Sequence, residues 1–494
     1  MTALSLGSAE HGVDLTRLVG APVSSPIRVG GLALDTRQIR PGDGFVALAG
    51  AASHGLDHLA QAESAGAAAV VVDAADAQRL NDTDTVLPGF AVDGLRARLP
   101  DWARAVSGDV DARLTLCGVT GTDGKTSTAV FLAQLMHTAG APCGVLGTLG
   151  TGFLGELEPA SHTTADVFST YRALADVADE GAQAVAMEVS SHALDQARVG
   201  GLSYAVGALT NIGRDHLDYH GTLEHYIAAK RRLFQQHAVR SVFNLDDPVG
   251  AQWFSETPGA LGYSTAGSVD ARWRGAVLDM TATGMRCRID VGSTRSIECE
   301  LPLLGRFNLA NVLCACAMAD AAGRAPAEIL SRLSALAPVV GRLECLRAPG
   351  HAVAVIDYAH TEQALRSAVQ AVREHVSGTL WCVFGCGGDR DPGKRPGMAR
   401  AACLADRVVL TTDNPRFESP EAIARDAARG LVSGHPIETI LDRTEAIAFA
   451  MTHASANDCV LIAGKGHEPY QDIRGQRVPF SDHAVVRAHF GGVL

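Results

Sequence analysis

The stretch Gly121-Thr122-Asp123-Gly124-Lys125-Thr126-Ser127 constrains this chain more than any other. Leu114 to Val119 reads as a buried strand leading into it, and Thr126 to His137 as a helix that stops before Gly140. A glycine turn between strand and helix aims several backbone N–H groups at one point, and the positive end of the helix dipole adds to the field there. Such a point attracts phosphate. Lys125 can reach outer phosphates, and Thr126 or Ser127 can offer a hydroxyl to Mg²⁺. Val119 stands five residues before Gly124, where the P-loop pattern has glycine, so only the shorter G-x-x-G-K-[ST] core is present. On its own that core also fits an ordinary glycine turn. In this setting it points to a bound nucleoside triphosphate.

Length and charge narrow the class. A chain of 494 residues exceeds one core and fits about three domains of ordinary size. Apolar residues make up 47% and aromatic ones 5%, which suits α/β architecture with strands of valine, alanine and leucine. Lysine and arginine number 42 against 54 acids, a net charge of −12, which argues against nucleic acid as a partner. Basic residues should then cluster locally, where anionic substrates bind. The 11 cysteines contain no C-x-x-C pair, and Cys314 and Cys316 are too close for a metal knuckle. They read as small core residues in a reducing compartment. Met1 to Ser5 lacks the basic and apolar regions of a leader, and no apolar run is long enough to span a membrane. A cytoplasmic protein is expected. A monomer is the default, since oligomeric state leaves no mark in the sequence.

Three segments differ in pattern. Residues 1–107 alternate short strands with turns, as in the helix-like 56–65, its stop at Gly66, and the strand 69–72. Residues 108–340 form a long run of strand–helix units that starts at the glycine loop. Residues 341–494 bring strands at 353–356, 380–384, 408–411 and 460–463, with helix-like spans between them. Parallel pairing through βαβ crossovers follows. The expected fold is α/β in three domains: a smaller N-terminal domain, a central P-loop-type ATPase domain with a parallel sheet, and a Rossmann-like C-terminal domain.

Open parallel sheets bind ligands beyond the carboxyl ends of their strands. Polar residues gather at those ends here. One strand runs into Glu188, Ser190, Ser191 and His192, and another into Thr210, Asn211, Asp215 and His216. Others end in Asp357-Tyr358-Ala359-His360, in Gly385 to Asp391, in Asp413-Asn414-Pro415-Arg416, and in Gly464-Lys465-Gly466-His467-Glu468. One such end could be a capped turn. Six in register with one fold rule indicate a catalytic cleft.

These residues resemble the Mur ligases, ATP-dependent enzymes that build the cell-wall stem peptide. The resemblance covers nearly the whole length. It rests on GTDGKTS from Gly121, MEVSSHAL from Met187, TNIGRDHLDYHGT from Thr210 and YIAAKRRLF from Tyr226. GRFNLANVL from Gly305, GRLE from Gly341, DYAHT from Asp357, GCGGDRDPGKRPGMA from Gly385, DNPR from Asp413 and AGKGHEPYQ from Ala463 continue it. Three positions depart from the family's habit: Asp123 replaces Asn, Glu362 stands where Pro is common, and His162 stands where Asn is usual. Asp123 adds a negative charge to the phosphate loop.

The resemblance implies transfer of the ATP γ-phosphate to a substrate carboxylate, followed by attack of an amine on the acyl phosphate. It implies addition of the third residue to UDP-N-acetylmuramoyl-L-alanyl-D-glutamate. Phosphoryl transfer between anions depends mainly on positioning and charge neutralisation. By resemblance, Thr126, Ser127, Glu188 and His216 serve Mg²⁺, and Lys125, Glu188, His216 and Lys230 serve catalysis. Lys230 alone would read as a solvated helix lysine; in the family the matching lysine carries CO₂ as a carbamate that supports the metal. Gly121 to Ser127, Asn308, Asn311, Arg342, Asp357, Tyr358 and His360 would hold ATP. Leu34, Thr36, Ala51, Ala52, Ser53, His162, Thr163, Thr164, Ser190, Gln196 and Arg198 would hold the UDP-muramoyl dipeptide.

The incoming amino acid can be argued physically. Meso-diaminopimelate carries an amino-carboxylate at each end, whereas lysine lacks the distal carboxylate. A guanidinium suits a carboxylate bidentately and repels a lysine ammonium. Arg416 of DNPR supplies one and Arg390 could supply another, with Asp413, Asn414 and Pro415 beside them. Glu468 can hold the distal ammonium, and Gly464 allows close backbone approach. In the family, DNPR goes with diaminopimelate. A P-loop kinase or regulatory ATPase, or a silent sugar-nucleotide-binding protein, stays open from the residues alone. Each leaves part of the set without a role. Folylpolyglutamate synthetase shares the fold but not DNPR.

Overall fold

The computed structural model describes residues 12–20, 26–50, 53–160 and 162–492. Residues 1–11, on which the reading of a missing leader rests, lie outside them, as do Ala51 and Ala52 of the sugar-nucleotide set. The chain packs as two compact units, Met1–Leu261 with Met318–Arg324, and Gly262–Ala317 with Ala325–Leu494.

The first unit holds a short antiparallel pair, Val13–Asp14 with Arg28–Val29, and two larger sheets. Strands Leu32–Ala33, Gly44–Ala47, Ala69–Asp73 and Gly89–Val92 pair in sequence order, all parallel. Val70, Val71 and Val72 are fully buried, as expected for a strand covered on both faces. The helix-like 56–65 becomes a 3₁₀ turn at Gly55–His58 followed by the helix Leu59–Ser64. Helix Leu95–Ser107 buries Leu95, Leu99, Trp102 and Ala103, a stripe at helical spacing. Those side chains share one apolar core with Phe168, Tyr171 and Leu174 of helix Val167–Asp179 and with Leu116 and Val185 of the second sheet. Arg172 on that helix reaches back to Asp43 at 2.6 Å. The turn at Gly108, φ 74°, ends the helix at the expected 107/108 divide, yet the core runs on through it.

In the second larger sheet of this unit, strand Thr115–Thr120 lies between Ala184–Glu188 and Tyr204–Leu209, parallel to both. Ala238–Asn244 extends one side in parallel. Cys143–Gly147 (parallel) and Gly150–Phe153 (antiparallel) extend the other. Register pairs Glu188 with Val119 and Leu209 with Thr120, so three neighbouring strands end at one level. The glycine loop, Ser190 and Thr210 all begin there. Helix Lys125–Met136 follows the loop and is buried along most of its faces, as a central helix should be.

The second unit contains a segment that the expectation of continuous strand–helix units missed. Strands Trp273–Thr281, Gly284–Val291 and Arg295–Leu301 form an antiparallel meander with no helix between them. Met285, Cys287, Ile289 and Val291 are buried while Arg286 and Arg288 are exposed, the alternation of a sheet with one wet face. The main sheet runs Glu344–Leu346, Val353–Asp357, Cys459–Ala463, Leu380–Cys386, Arg407–Thr412, Ile437–Thr439. Only the first strand is antiparallel. Apolar clusters cover both faces, one around Val355, Phe384 and Leu461, the other around Ile356, Val383 and Ile462. Register sets Asp357 beside Ala463 and Cys386 beside Thr412, which brings the loops after them to one rim. None of the 11 cysteines is in a disulfide, and each is buried or half-buried. Among the described residues no helix is long and apolar enough to cross a membrane.

Candidate active site

In the first unit the glycine loop closes tightly over its neighbours. Gly121 has φ 149°, and a Cβ there would collide with Thr210 Oγ1, so the backbone passes where only glycine fits. Asn211 Oδ1 accepts the Asp123 N–H at 3.0 Å, and Thr210 Oγ1 donates to the Asp123 carbonyl at 2.6 Å. The Asp123 side chain itself is exposed. Lys125 Nζ folds back onto the loop, donating to the carbonyls of Thr122 at 2.8 Å and Gly121 at 3.1 Å.

Glu188 is 2% exposed, and each of its carboxylate oxygens accepts a hydrogen bond. Thr126 Oγ1 donates to Oε2 at 2.8 Å, and the Thr148 N–H to Oε1 at 2.7 Å. A Cβ at Gly147 would strike the carboxylate, so glycine keeps the space open. Thr148 Oγ1 lies 3.1 Å from Thr163 Oγ1, and Thr164 Oγ1 donates to the Glu188 carbonyl at 2.8 Å. Ser190 caps the short helix Ser191–Asp195 through its Oγ. Ser127 is buried beside Thr126.

Lys230 is 1% exposed on helix Leu223–Arg232. Its Nζ donates to the Gly121 carbonyl at 2.6 Å and sits 4.5 Å from the centre of the Tyr226 ring. Tyr226 is tied to the loop in turn, its hydroxyl 3.0 Å from Thr122 Oγ1. Burial pushes the Lys230 ammonium well below its ordinary range, and the Lys125 charge adds to that. The solvated helix lysine is thereby excluded. His216 is half exposed with φ 53°, its Nε2 3.3 Å from Asp215 and its ring edge-on to those of His192 and Tyr226. Among the described residues no three His, Cys, Asp or Glu side chains gather as a metal cage. The oxygens of Thr126 and Glu188 are hard donors of the kind Mg²⁺ takes while keeping several waters.

A cavity of about 260 Å³ in the same unit is lined by Leu34, His162, Gln196 and Arg198 from the expected sugar-nucleotide set. Asp35, from the same Leu34-Asp35-Thr36-Arg37 stretch, lines it too, as do Gln38, Arg96 and Asp166, which the sequence reading missed. Arg198 donates to Gln196 Oε1 at 2.7 and 2.9 Å and to the Thr164 carbonyl at 3.0 Å. Thr36 and Ser53 do not line this cavity: Thr36 Oγ1 bonds Gln61, and Ser53 Oγ lies 3.2 Å from His58 Nε2.

In the second unit, Asp357 spends both carboxylate oxygens on backbone N–H groups, those of Leu343 at 2.8 Å and Ala359 at 2.9 Å. Its burial outweighs these bonds and raises its pKa. Tyr358 carries the Arg342 guanidinium 4.8 Å from its ring centre, with the His360 ring edge-on to it and the His467 ring tilted against it. Asn308 and Asn311 are buried and bonded to each other at 3.0 Å, with Asn308 also donating to the Leu304 carbonyl at 2.8 Å. Their amide groups are therefore largely committed within the protein.

The DNPR loop is braced from several sides. Arg416, φ 50°, donates from Nη1 to the Gly388 carbonyl at 2.5 Å, and its backbone pairs with Asp472 and Arg474. A Cβ on Gly387 would lie 3.3 Å from Arg416 Nη1 and 3.9 Å from Arg390 Cγ, so both arginines flank one glycine. Asn414 Nδ2 donates to Glu468 Oε2 at 2.9 Å, and Gly464 passes directly against Asp413 Oδ2. Pro415 lies over Gly388. Two buried cations were absent from the expected set. Arg395, 1% exposed, bridges Glu418 at 2.7 Å and Asp426 at 3.0 Å. Lys465 bridges Glu468 and Asn414. Both lie inside motifs already singled out, but a cation's burial is invisible until the loops are placed.

The models of three Mur ligase segments match this chain: the family's catalytic domain over residues 28–104, its middle domain over 119–319, and its glutamate ligase domain over 341–466. A UDP-N-acetylmuramoyl-L-alanyl-D-glutamate–2,6-diaminopimelate ligase from Alkalilimnicola ehrlichii is 48% identical over 472 residues, 93% of this chain and 94% of that protein. One of the same name from Xylella fastidiosa is 43% identical over 94% of each chain. A solved structure of a ligase of that name superposes with TM-score 0.67 at 37% identity, covering 98% of this chain and 99% of its own. A folylpolyglutamate synthase from Thermotoga maritima, 17% identical with TM-score 0.58 over 74% of this chain and 90% of its own, shares the fold alone. The chain belongs to the Mur ligase family.

Proposed function

We propose that this protein is an ATP-dependent ligase that joins meso-diaminopimelate to UDP-N-acetylmuramoyl-L-alanyl-D-glutamate. The observation that carries the substrate choice is the arrangement in the second unit. Arg416 and Arg390 flank Gly387, which suits a distal carboxylate, while Glu468 is held at Oε2 and suits a distal ammonium. Lysine would satisfy Glu468 but bring no distal carboxylate to either guanidinium group. The names of the relatives, at 43–48% identity over nearly the full length, support the same reading.

The chemistry follows from the residues. The loop Gly121 to Ser127 and the N-terminus of helix Lys125–Met136 would bind the triphosphate through backbone N–H groups. Lys125 would exchange its loop carbonyls for phosphate oxygens and neutralise charge as the γ-phosphate passes to the substrate carboxylate. The acyl phosphate so formed is attacked by the amine of the incoming amino acid, and phosphate leaves. Thr126, Ser127, Glu188 and His216 would hold Mg²⁺, with Lys230 as a carbamate in support; the ion would supply charge stabilisation to the phosphates. A neutral, buried Lys230 amine is the form that can take up CO₂. Leu34, His162, Gln196 and Arg198 would hold the UDP-muramoyl dipeptide at the cavity of the first unit. The three sequence segments 1–107, 108–340 and 341–494 would divide these tasks as sugar-nucleotide, ATP and amino-acid domains. We place the reaction in the cytoplasm.

ADP release across candidate amino acids, with the muramoyl dipeptide present, tests the reading. Turnover with diaminopimelate well above lysine is expected. Hydrolysis without any amine would favour a regulatory ATPase. Binding with no turnover would favour a silent sugar-nucleotide binder.

A further inference from the structure

We propose that Lys465 is a positioning residue for the incoming diamino acid, fixing Glu468 so that one carboxylate oxygen is reserved for the substrate's distal ammonium. The inference rests on reading the second unit as the amino-acid pocket.

Lys465 lies between Gly464, φ 117°, and Gly466, φ 54°, just past strand Cys459–Ala463, and its side chain is 0% exposed. A buried ammonium needs an anion and further acceptors to offset its lost hydration. It has both: Nζ donates to Glu468 Oε2 at 2.8 Å and to Asn414 Oδ1 at 3.0 Å, above the ring of Tyr470. Asn414 is locked by the same geometry. Its Nδ2 also donates to Glu468 Oε2, at 2.9 Å, and its Oδ1 accepts the Asp472 N–H at 3.0 Å.

Both donors to the Glu468 carboxylate therefore land on Oε2. Among the described residues Oε1 receives no hydrogen bond, and the side chain is 20% exposed. A carboxylate with one oxygen saturated and the other bare is an acceptor with a fixed direction. Burial works to raise the Glu468 pKa, but the Lys465 charge and the bonds from Lys465 and Asn414 overcome it and hold the group ionised. Asp413 Oδ2 adds a second acceptor beside Gly464, buried and without a hydrogen-bond partner among the described residues. Lys465 is too deeply buried to touch the substrate and acts through Glu468.

The test uses the full-length enzyme with Lys465→Met and with Lys465→Gln, the second keeping a donor. KM is measured for meso-diaminopimelate, for ATP, and for 2-aminopimelate, which keeps the distal carboxylate and lacks the distal amine. Both variants should raise KM for diaminopimelate by about 10- to 100-fold, the range of one charge-assisted contact. KM for 2-aminopimelate and for ATP should stay within about threefold, because neither uses the oriented carboxylate. A folded variant with normal diaminopimelate KM, or with both amino acids weakened alike, overturns the proposal. Should the single variants fail to fold, Lys465→Gln combined with Glu468→Gln removes both charges together. Its diaminopimelate KM should match that of Glu468→Gln alone, and a tenfold excess would overturn the proposal. Wild-type enzyme without turnover on diaminopimelate sinks the ligase reading, whereas wild-type turnover with unmoved variants sinks only the role of Lys465.

Discussion

Two buried lysines, one in each unit, have met burial in opposite ways. Lys465 is paired with the Glu468 carboxylate and the Asn414 amide, so its charge is matched inside the protein. Lys230 has the neutral Gly121 carbonyl and the face of Tyr226, and no carboxylate in ion-pair contact among the described residues. Its nearest strong influences after burial are the charge of Lys125, which lowers its pKa further, and the more weakly opposing Asp215 and Asp123. A paired buried cation is a fixture. An unpaired one loses its proton more readily, and a neutral amine is the nucleophilic form. The difference teaches that burial alone does not assign a role; the partner does.

The largest effect should come from Lys230→Ala, since an anion supporting Mg²⁺ would be lost. Turnover should fall about 10³-fold, the upper end for removal of one preorganised charge. A small carboxylic acid in the buffer should restore part of it, measured as ADP release, and a mass spectrum of the wild type should show the added CO₂. Full activity in the variant would erase the contrast between the two lysines.

Lys125→Ala comes next. It removes a cation that donates to two carbonyls of its own loop, so the fold should persist while kcat drops at least about 10²-fold. Near-normal steady-state turnover of folded protein would rule out the loop as the phosphate site. The same variant sharpens the comparison, because a neighbour that depresses Lys230 is gone and the amine pKa should move up, readable by the pH dependence of its labelling.

Arg416→Ala should act on the other unit alone. One charge-assisted pair with a distal carboxylate predicts a rise in KM for diaminopimelate of roughly 10- to 150-fold. KM for ATP should hardly change, and lysine should gain relative to diaminopimelate. A KM series for both amino acids on wild type and variant checks it. Unchanged diaminopimelate kinetics would break the argument from DNPR and leave the family membership untouched.

The meander at 273–301 shows how local patterns can be legible and still be missed. Met285, Cys287, Ile289 and Val291 alternate with Arg286, Arg288 and Asp290, a period of two that marks a half-buried strand. The expectation of strand–helix units passed over it because the surrounding segments read as crossovers. The later strands fared better: the expected 353–356, 380–384, 408–411 and 460–463 lie within the observed Val353–Asp357, Leu380–Cys386, Arg407–Thr412 and Cys459–Ala463. Continuous apolar runs ending in glycine or acid carry that signal without help from partners.

The sequence by itself determined the glycine loop, the parallel strands and the places where chemistry could sit, because those depend on residues within a few positions of one another. Lys125 bonds Thr122 and Gly121, three and four residues away. Only the tertiary structure decided which charged groups are matched. Thr126 meets Glu188 from 62 residues away, Lys230 meets Gly121 across 109, and Lys465 meets Asn414 across 51. Desolvation and pairing are properties of a place in space, and a lysine acquires its pKa and its task only when folding chooses its neighbours.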